Sequence, residues 1–159
     1  MGTFIGDALG VGPHWYYDLD QLRQDYGDWI DGYTSPKAGR YHTGLTAGEN
    51  SQTGQVAGFL LESLAGLGDY DESDFCLRLD ALIATLDGKP EGGRYTDVAM
   101  RDVWTDRQAG KTWPRAGSFA DTAEPAIRTP VLAARYRNVF KTLFAFLKSN
   151  VRLTHRDPF

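Results

Sequence analysis

The residues able to do chemistry are few and scattered along the chain. His14, His42 and His155 stand far apart, and their spacing reads as no metal cluster. There is no paired-cysteine motif, no HExxH, no phosphate-cradling glycine loop and no nucleophile elbow. Cys76, the one cysteine, lies one position off an apolar helical stripe and reads as a small buried hydrophobe rather than a nucleophile. Asp7 closes a run of apolar and small residues. A buried carboxylate without a partner is costly, so Asp7 should be paired, cap the next segment or stand near a metal, with capping the first expectation. Asp69, Asp71, Glu72 and Asp74 cluster just before a helix, where the helix dipole favours carboxylates. That places them as capping groups rather than as metal ligands. The stretch 11–50 sets Trp15, Tyr16, Tyr17, Tyr26, Trp29, Tyr33 and Tyr41 among many glycines. These rings either pack a long ordered loop or, at Trp15, Tyr16 and Tyr17, offer faces on which a base can stack.

The elements that must position these groups are helical. Phe4, Ile5, Ala8 and Leu9 have helical spacing, in a helix that starts at residue 2 without a cap. Asp18 caps a short helix from Leu19 to Tyr26. Val56, Phe59, Leu60, Leu64 and Leu67 form one apolar stripe, with Ser51 or Thr53 as cap and Gly68 as stop. Gly54, Ala57 and Gly58 give that helix a smooth face open to close approach. A further helix runs from about Ser73 to Leu86 through Phe75, Leu79, Leu82 and Ile83. Thr96 caps a helix through about Gln108, and Gly110 to Ala116 reads as a loop. Ala120 to Tyr136 is helical in pattern, with Pro125 near its start and Pro130 as a break. Val139, Phe140, Leu143, Phe144 and Leu147 form a last amphipathic stripe. No segment alternates as a strand, so the fold class is all-α, with short loops joining antiparallel neighbours.

Composition bounds the partners. A chain of 159 residues fits one domain, 1–159, with a real core. A formal net charge of −4 argues against a binder of nucleic acid that relies on phosphate attraction. No apolar run approaches the roughly 18 residues of a spanning helix. A single cysteine forms no internal disulfide and suits a reducing, cytoplasmic setting. The expected partners therefore include neither nucleic acid nor membrane.

Three segments, taken in order, carry a resemblance. Gly6-Asp7-Ala8-Leu9-Gly10 resembles the GDALG signature that opens the ADP-ribosylglycohydrolases. Gln55 through Ser63-Leu64 resembles the helix after that family's TDDT motif. Leu153-Thr154-His155 with Asp157 resembles its lTHxD segment. The order and spacing fit over essentially the whole chain. The resemblance implies an all-α, orthogonal multi-helix bundle and a hydrolase that removes ADP-ribose from a glycosidic adduct. It also implies two Mg²⁺ ions held between an N-terminal and a C-terminal acidic motif, orienting ribose hydroxyls and water.

The residues depart from the family pattern at three places. The TDDT positions fall on Ser51-Gln52-Thr53-Gly54, where both carboxylates are missing, so Ser51, Gln52 and Thr53 stand where metal ligands would. A family glutamate near GDALG falls on His14. The GNGxxMR loop falls on Thr122-Ala123-Glu124 and runs through Arg128. The resemblance then gives Asp7, His14, Arg128, His155 and Asp157 as substrate-binding positions. Ser51-Gln52-Thr53-Gly54-Gln55, with Tyr41-His42 upstream and Asp121-Thr122-Ala123-Glu124 downstream, looks like the jellyfish J-type crystallin and selenoprotein J group of the family. There the scaffold persists without the hydrolase motifs. Family members are about twice as long, so the chain is expected to be an N-terminal portion. Two functions are weighed: Mg²⁺-dependent hydrolysis of an ADP-ribose linkage, and a non-catalytic crystallin-like scaffold or nucleotide-sugar binding module. Self-association or a C-terminal partner is expected to cover the apolar stripe at Phe140 to Leu147.

Overall fold

The computed structural model describes residues 1–90 and 94–156, apart from the side chain of Pro114. It is all-α. Among the described residues the only β pairing is two isolated bridges, Thr43 with Leu45 and Ser118 with His155. The chain divides into two compact units, Met1–Gly54 with Pro90–Tyr95, and Gln55–Lys89 with Thr96–Phe159. No helix among the described residues is long and apolar enough to cross a membrane.

The first unit holds α1 (Gly2–Val11), α2 (Leu19–Tyr26) and the opening turn of α3 (Gln52–Leu67). Ala8 and Val11 are the buried residues of α1. α2 begins as its sequence predicts: Asp18 Oδ1 accepts from the N–H groups of Asp20 (2.9 Å) and Gln21 (3.2 Å). The long segment between α2 and α3 is ordered by side chains that satisfy its backbone. The Tyr26 hydroxyl lies 2.7 Å from the Gly12 carbonyl and 3.0 Å from that of Ser35. Ser35 Oγ accepts from Ala47 N–H at 2.9 Å, and Glu49 Oε2 accepts from Thr46 N–H at 2.7 Å. Arg94 donates to the Asn50 carbonyl (2.9 Å) and to Glu49 (3.2 Å). A buried stretch of irregular backbone needs such partners, because each unpaired group would cost about as much as a lost hydrogen bond.

The second unit holds the rest of α3 and the helices α4 (Glu72–Ile83), α5 (Val98–Gln108), α6 (Trp113–Ala116), α7 (Thr129–Tyr136) and α8 (Phe140–Thr154). A 3₁₀ turn over Glu124–Arg128 leads into α7. Leu60, Phe75, Leu79, Val103 and Leu132 are fully buried, and α8 packs on α5, α6, α7 and the 3₁₀ turn. Several boundaries differ from the sequence reading, each for a local reason. α4 starts at Glu72, one residue before the expected Ser73, and Asp71 of the acidic cluster caps it as expected, accepting from Asp74 N–H at 3.0 Å. α5 is capped by Asp97 rather than Thr96, through Met100 N–H at 2.8 Å. The predicted loop at 110–116 contains a single helical turn, α6. The predicted helix from Ala120 begins only at Glu124 and is re-started at Thr129. Pro125 and Pro130 each occupy a first turn, where a missing N–H costs nothing. α8 runs on to Thr154, and its last turns carry the buried Asn150, Leu153 and Thr154.

Candidate functional site

In the first unit, Asp7 reaches the start of α3. Its Oδ2 accepts from Ser51 N–H (2.8 Å) and from the Asn50 amide (2.9 Å), and its Oδ1 accepts from Ser51 Oγ (2.6 Å). Ser51 Oγ in turn accepts from Gly54 N–H at 3.2 Å, the side-chain cap of the helix. The carboxylate comes this close only because residue 54 has no side chain. A Cβ there would overlap the carboxylate, lying 2.7 Å from Asp7 Cγ. Both oxygens of Asp7 are thus committed to N–H and O–H donors at a helix N-terminus, where negative charge is favoured.

This arrangement fits magnesium poorly. Mg²⁺ takes hard oxygen ligands, carboxylates above all, in near-octahedral geometry. Among the described residues, the carboxylate seen against Ser51 is that of Asp7, and it already receives three donors. No group of three or more His, Cys, Asp or Glu side chains suited to a metal forms among the described residues.

His14 lies in the same unit. Its Nδ1 is 2.9 Å from Nε2 of His42, a residue the sequence reading left without a role. The His42 ring is buried, and its Nδ1 has no hydrogen-bond partner. Burial, helped by the neighbouring His14, pushes the His42 imidazole down to about 4, so it is neutral at pH 7. Trp15 stacks on His14 (centroids 4.2 Å, 13°) and meets the rings of Tyr41 and Tyr95 edge-on at 4.3 and 4.7 Å. Trp15 is also the non-glycine residue with a left-handed backbone, φ +60, a conformation that only surrounding packing can hold. Three neighbours therefore occupy the Trp15 indole. Tyr16 donates to Asp25 at 2.5 Å and carries the Arg40 guanidinium 3.7 Å from its ring centroid. Of the three rings, Tyr17 is the exposed one.

The second unit brings Arg128, Thr154 and His155 together. Arg128 is fully buried, and burial lowers its guanidinium to about 10. Its Nη2 donates to Thr154 Oγ1 at 2.7 Å, and Thr154 Oγ1 lies 2.9 Å from His155 Nδ1. A guanidinium only donates, so the Thr154 oxygen accepts from it and meets His155 Nδ1 with its remaining lone pair and its own proton. A further acceptor for that proton, the Val151 carbonyl, stands at 3.5 Å. His155 Nε2 faces Thr122 Oγ1 at 3.0 Å and Glu124 Oε2 at 3.5 Å. The His155 imidazole, 3.5 Å away, holds the Glu124 carboxyl down to about 2. Desolvation raises the nearby Asp97 carboxyl, which spends its own oxygen on capping α5. The result is a buried imidazole edge beside a hydroxyl and a carboxylate, groups suited to binding the hydroxyls of a sugar. Asp157 lies outside the described residues. The sequence reading missed Asn50, His42 and Glu124 as partners. Asn50 next to the helix cap and Glu124 before Pro125 were the signals available, whereas the pairing of His14 with His42 needs the fold.

Two outcomes follow. Gly54→Ala would stabilise an ordinary helix by about 1 kcal/mol, but here it should destabilise the chain by about 1–3 kcal/mol through overlap with Asp7. In urea denaturation the loss should shrink in the Asp7→Ala background. The second concerns pH. His42 has its folded value depressed from 6.5 to about 4, so its contribution is complete above pH 6.5 and is lost as pH falls toward 4. Stability measured across that window should fall in the wild type and stay flatter in His42→Gln.

Comparison with known proteins follows the same lines. The chain is similar to an uncharacterized protein of Archaeoglobus fulgidus, 26% identical over 155 residues, covering 98% of this chain and 47% of the relative. It spans about half the length of that curated relative. No solved structure matches it. The family model for ADP-ribosylglycohydrolase matches residues 1–159, and the chain belongs to the ADP-ribosylglycohydrolase family.

Proposed function

We propose that the protein hydrolyses a glycosidic ADP-ribose linkage and that this chain supplies recognition of the nucleotide-sugar. The observation that carries this reading is the family membership along 1–159. The oriented His155 beside Thr122 and Glu124 supports it. In the reaction a water oxygen bonds to the anomeric carbon of the ribose, the bond to the leaving group breaks, and the leaving group takes a proton. His155, and Asp157 beyond the described residues, would contact the substrate. Arg128 would act as a positioning residue, through Thr154. Asp7 is read as a helix cap, and no step is assigned to Mg²⁺ at Ser51, Gln52 or Thr53. The single cysteine supports a reducing, cytoplasmic setting.

A second reading is a non-catalytic member, crystallin-like or a nucleotide-sugar binding module. The engagement of both Asp7 carboxylate oxygens by protein donors favours it. Both readings are separated by one pair of measurements. The chain is incubated with arginine-linked and serine-linked ADP-ribosyl peptides, with and without Mg²⁺, and free ADP-ribose is quantified. Its melting temperature is followed with ADP-ribose; a ligand at 100 times its Kd stabilises by about 2.7 kcal/mol. Release that is lost in His155→Ala is the expected result. A melting shift without release selects the binding module, and neither signal overturns both readings.

A further inference from the structure

The end of α8 builds a second polar site in the second unit, separate from the His155 cluster. His155 has extended backbone, φ −131 and ψ 120, so successive side chains there project to opposite faces. The His155 ring turns inward to Thr122 and Glu124. The Arg156 side chain turns instead into a cavity of about 540 Å³, which Arg115, Ser118 and Phe119 also line. Two main-chain bonds fix this edge: Ser118 N–H to the Thr154 carbonyl (2.9 Å) and Arg156 N–H to the Ser118 carbonyl (2.6 Å).

Arg156 is held in place before any ligand arrives. Its stem lies against Gly117, where a Cβ would come within 2.6 Å of Arg156 Cγ. Its Nη1 donates to the Arg115 carbonyl at 3.1 Å, and its guanidinium carbon sits 5.0 Å from the centroid of the Phe119 ring. The charges around it do not cancel. Asp106 is taken by Lys111 at 2.6 Å, and Asp102 accepts from Ser118 Oγ at 2.5 Å. Neither Arg115 nor Arg156 has a carboxylate partner among the described residues. Phe119 lines the same cavity with its ring 66% exposed. A guanidinium fork matches phosphate oxygens in pairs, and an open aromatic face takes a planar ring. The volume lies in the ordinary range for a small-molecule site, roughly 300–1,000 Å³.

We propose that this cavity, with its two carboxylate-free guanidinia beside an exposed phenyl ring, binds a phosphomonoester carried on a planar ring, the chemistry of a nucleoside monophosphate. Arg115 and Arg156 take the phosphate, and Phe119 lies against the ring. The inference stands apart from the hydrolase reading. Release of ADP-ribose reports the linkage, whereas occupancy of this cavity is read without turnover.

The test is a titration of the chain with adenosine 5′-monophosphate, followed by the NMR signals of the arginine Nε–H groups and the Phe119 ring. Inorganic phosphate and adenosine are titrated in parallel. Saturable shifts at Arg156 and Phe119 with the nucleotide are expected, with adenosine at least about tenfold weaker, the loss that follows from removing charged hydrogen bonds. Arg115→Gln should weaken binding by about tenfold with an unchanged melting temperature, because its guanidinium has no partner to lose. Phe119→Ala should bring the nucleotide down to the affinity of inorganic phosphate. Absence of saturable shifts, adenosine binding as tightly as its monophosphate, or full affinity in both Arg115→Gln and Arg156→Gln would overturn the proposal.

Discussion

The carboxylate of Asp7 sets the character of the first unit. A half-buried negative charge needs donors, and it finds them in Asn50 and Ser51 at the mouth of α3. Satisfying Asp7 fixes three further things together. It holds α1 to the start of α3, it makes Ser51 the cap, and it requires glycine at 54. A charge that is satisfied in this way is unavailable to a hard cation. The family resemblance assigns this corner to metal, and the residues present convert it into a helix terminus.

The second unit is organised by a different constraint, the burial of the Arg128 guanidinium. A fully buried cation has to be directed by acceptors, and Thr154 is the nearest. Because the arginine only donates, Thr154 Oγ1 accepts from it, and that bond sets Thr154 against His155 Nδ1. Arg128 is therefore important to the site without having to touch a substrate. The same stretch of extended backbone sends His155 and Arg156 to opposite faces, so one short segment serves both the inward cluster and the outer cavity.

Much of the helical plan was legible in the sequence. Apolar spacing located α3 and α4, capping residues located α2 and α5, and Gly68 at φ +78 stops α3 where a helix-ending glycine was expected. The misplacements cluster where two capping residues compete, as at Thr96 and Asp97, or where proline starts a helix instead of breaking one, as at Pro130. Periodicity cannot separate those cases, since they depend on which backbone N–H groups lack partners. The site was legible only by residue type. Asp7 was expected to cap the next segment or to be paired, and it is paired, with Asn50 and Ser51 at the start of α3; these partners, the His14–His42 pair and the surroundings of His155 are relations between distant segments. No local pattern encodes them.

The claim that Asp7 closes the helix rather than holding a metal is tested most directly by paramagnetic Mn²⁺ as a stand-in for Mg²⁺. Spectra of the ¹⁵N-labelled chain are recorded as Mn²⁺ is added. The account predicts that the amide signals of Ser51 and Gly54, which flank the Asp7 carboxylate, keep their intensity while exposed carboxylates elsewhere show only weak, non-saturating broadening. Selective loss of the Ser51 and Gly54 signals at stoichiometric Mn²⁺ would contradict it.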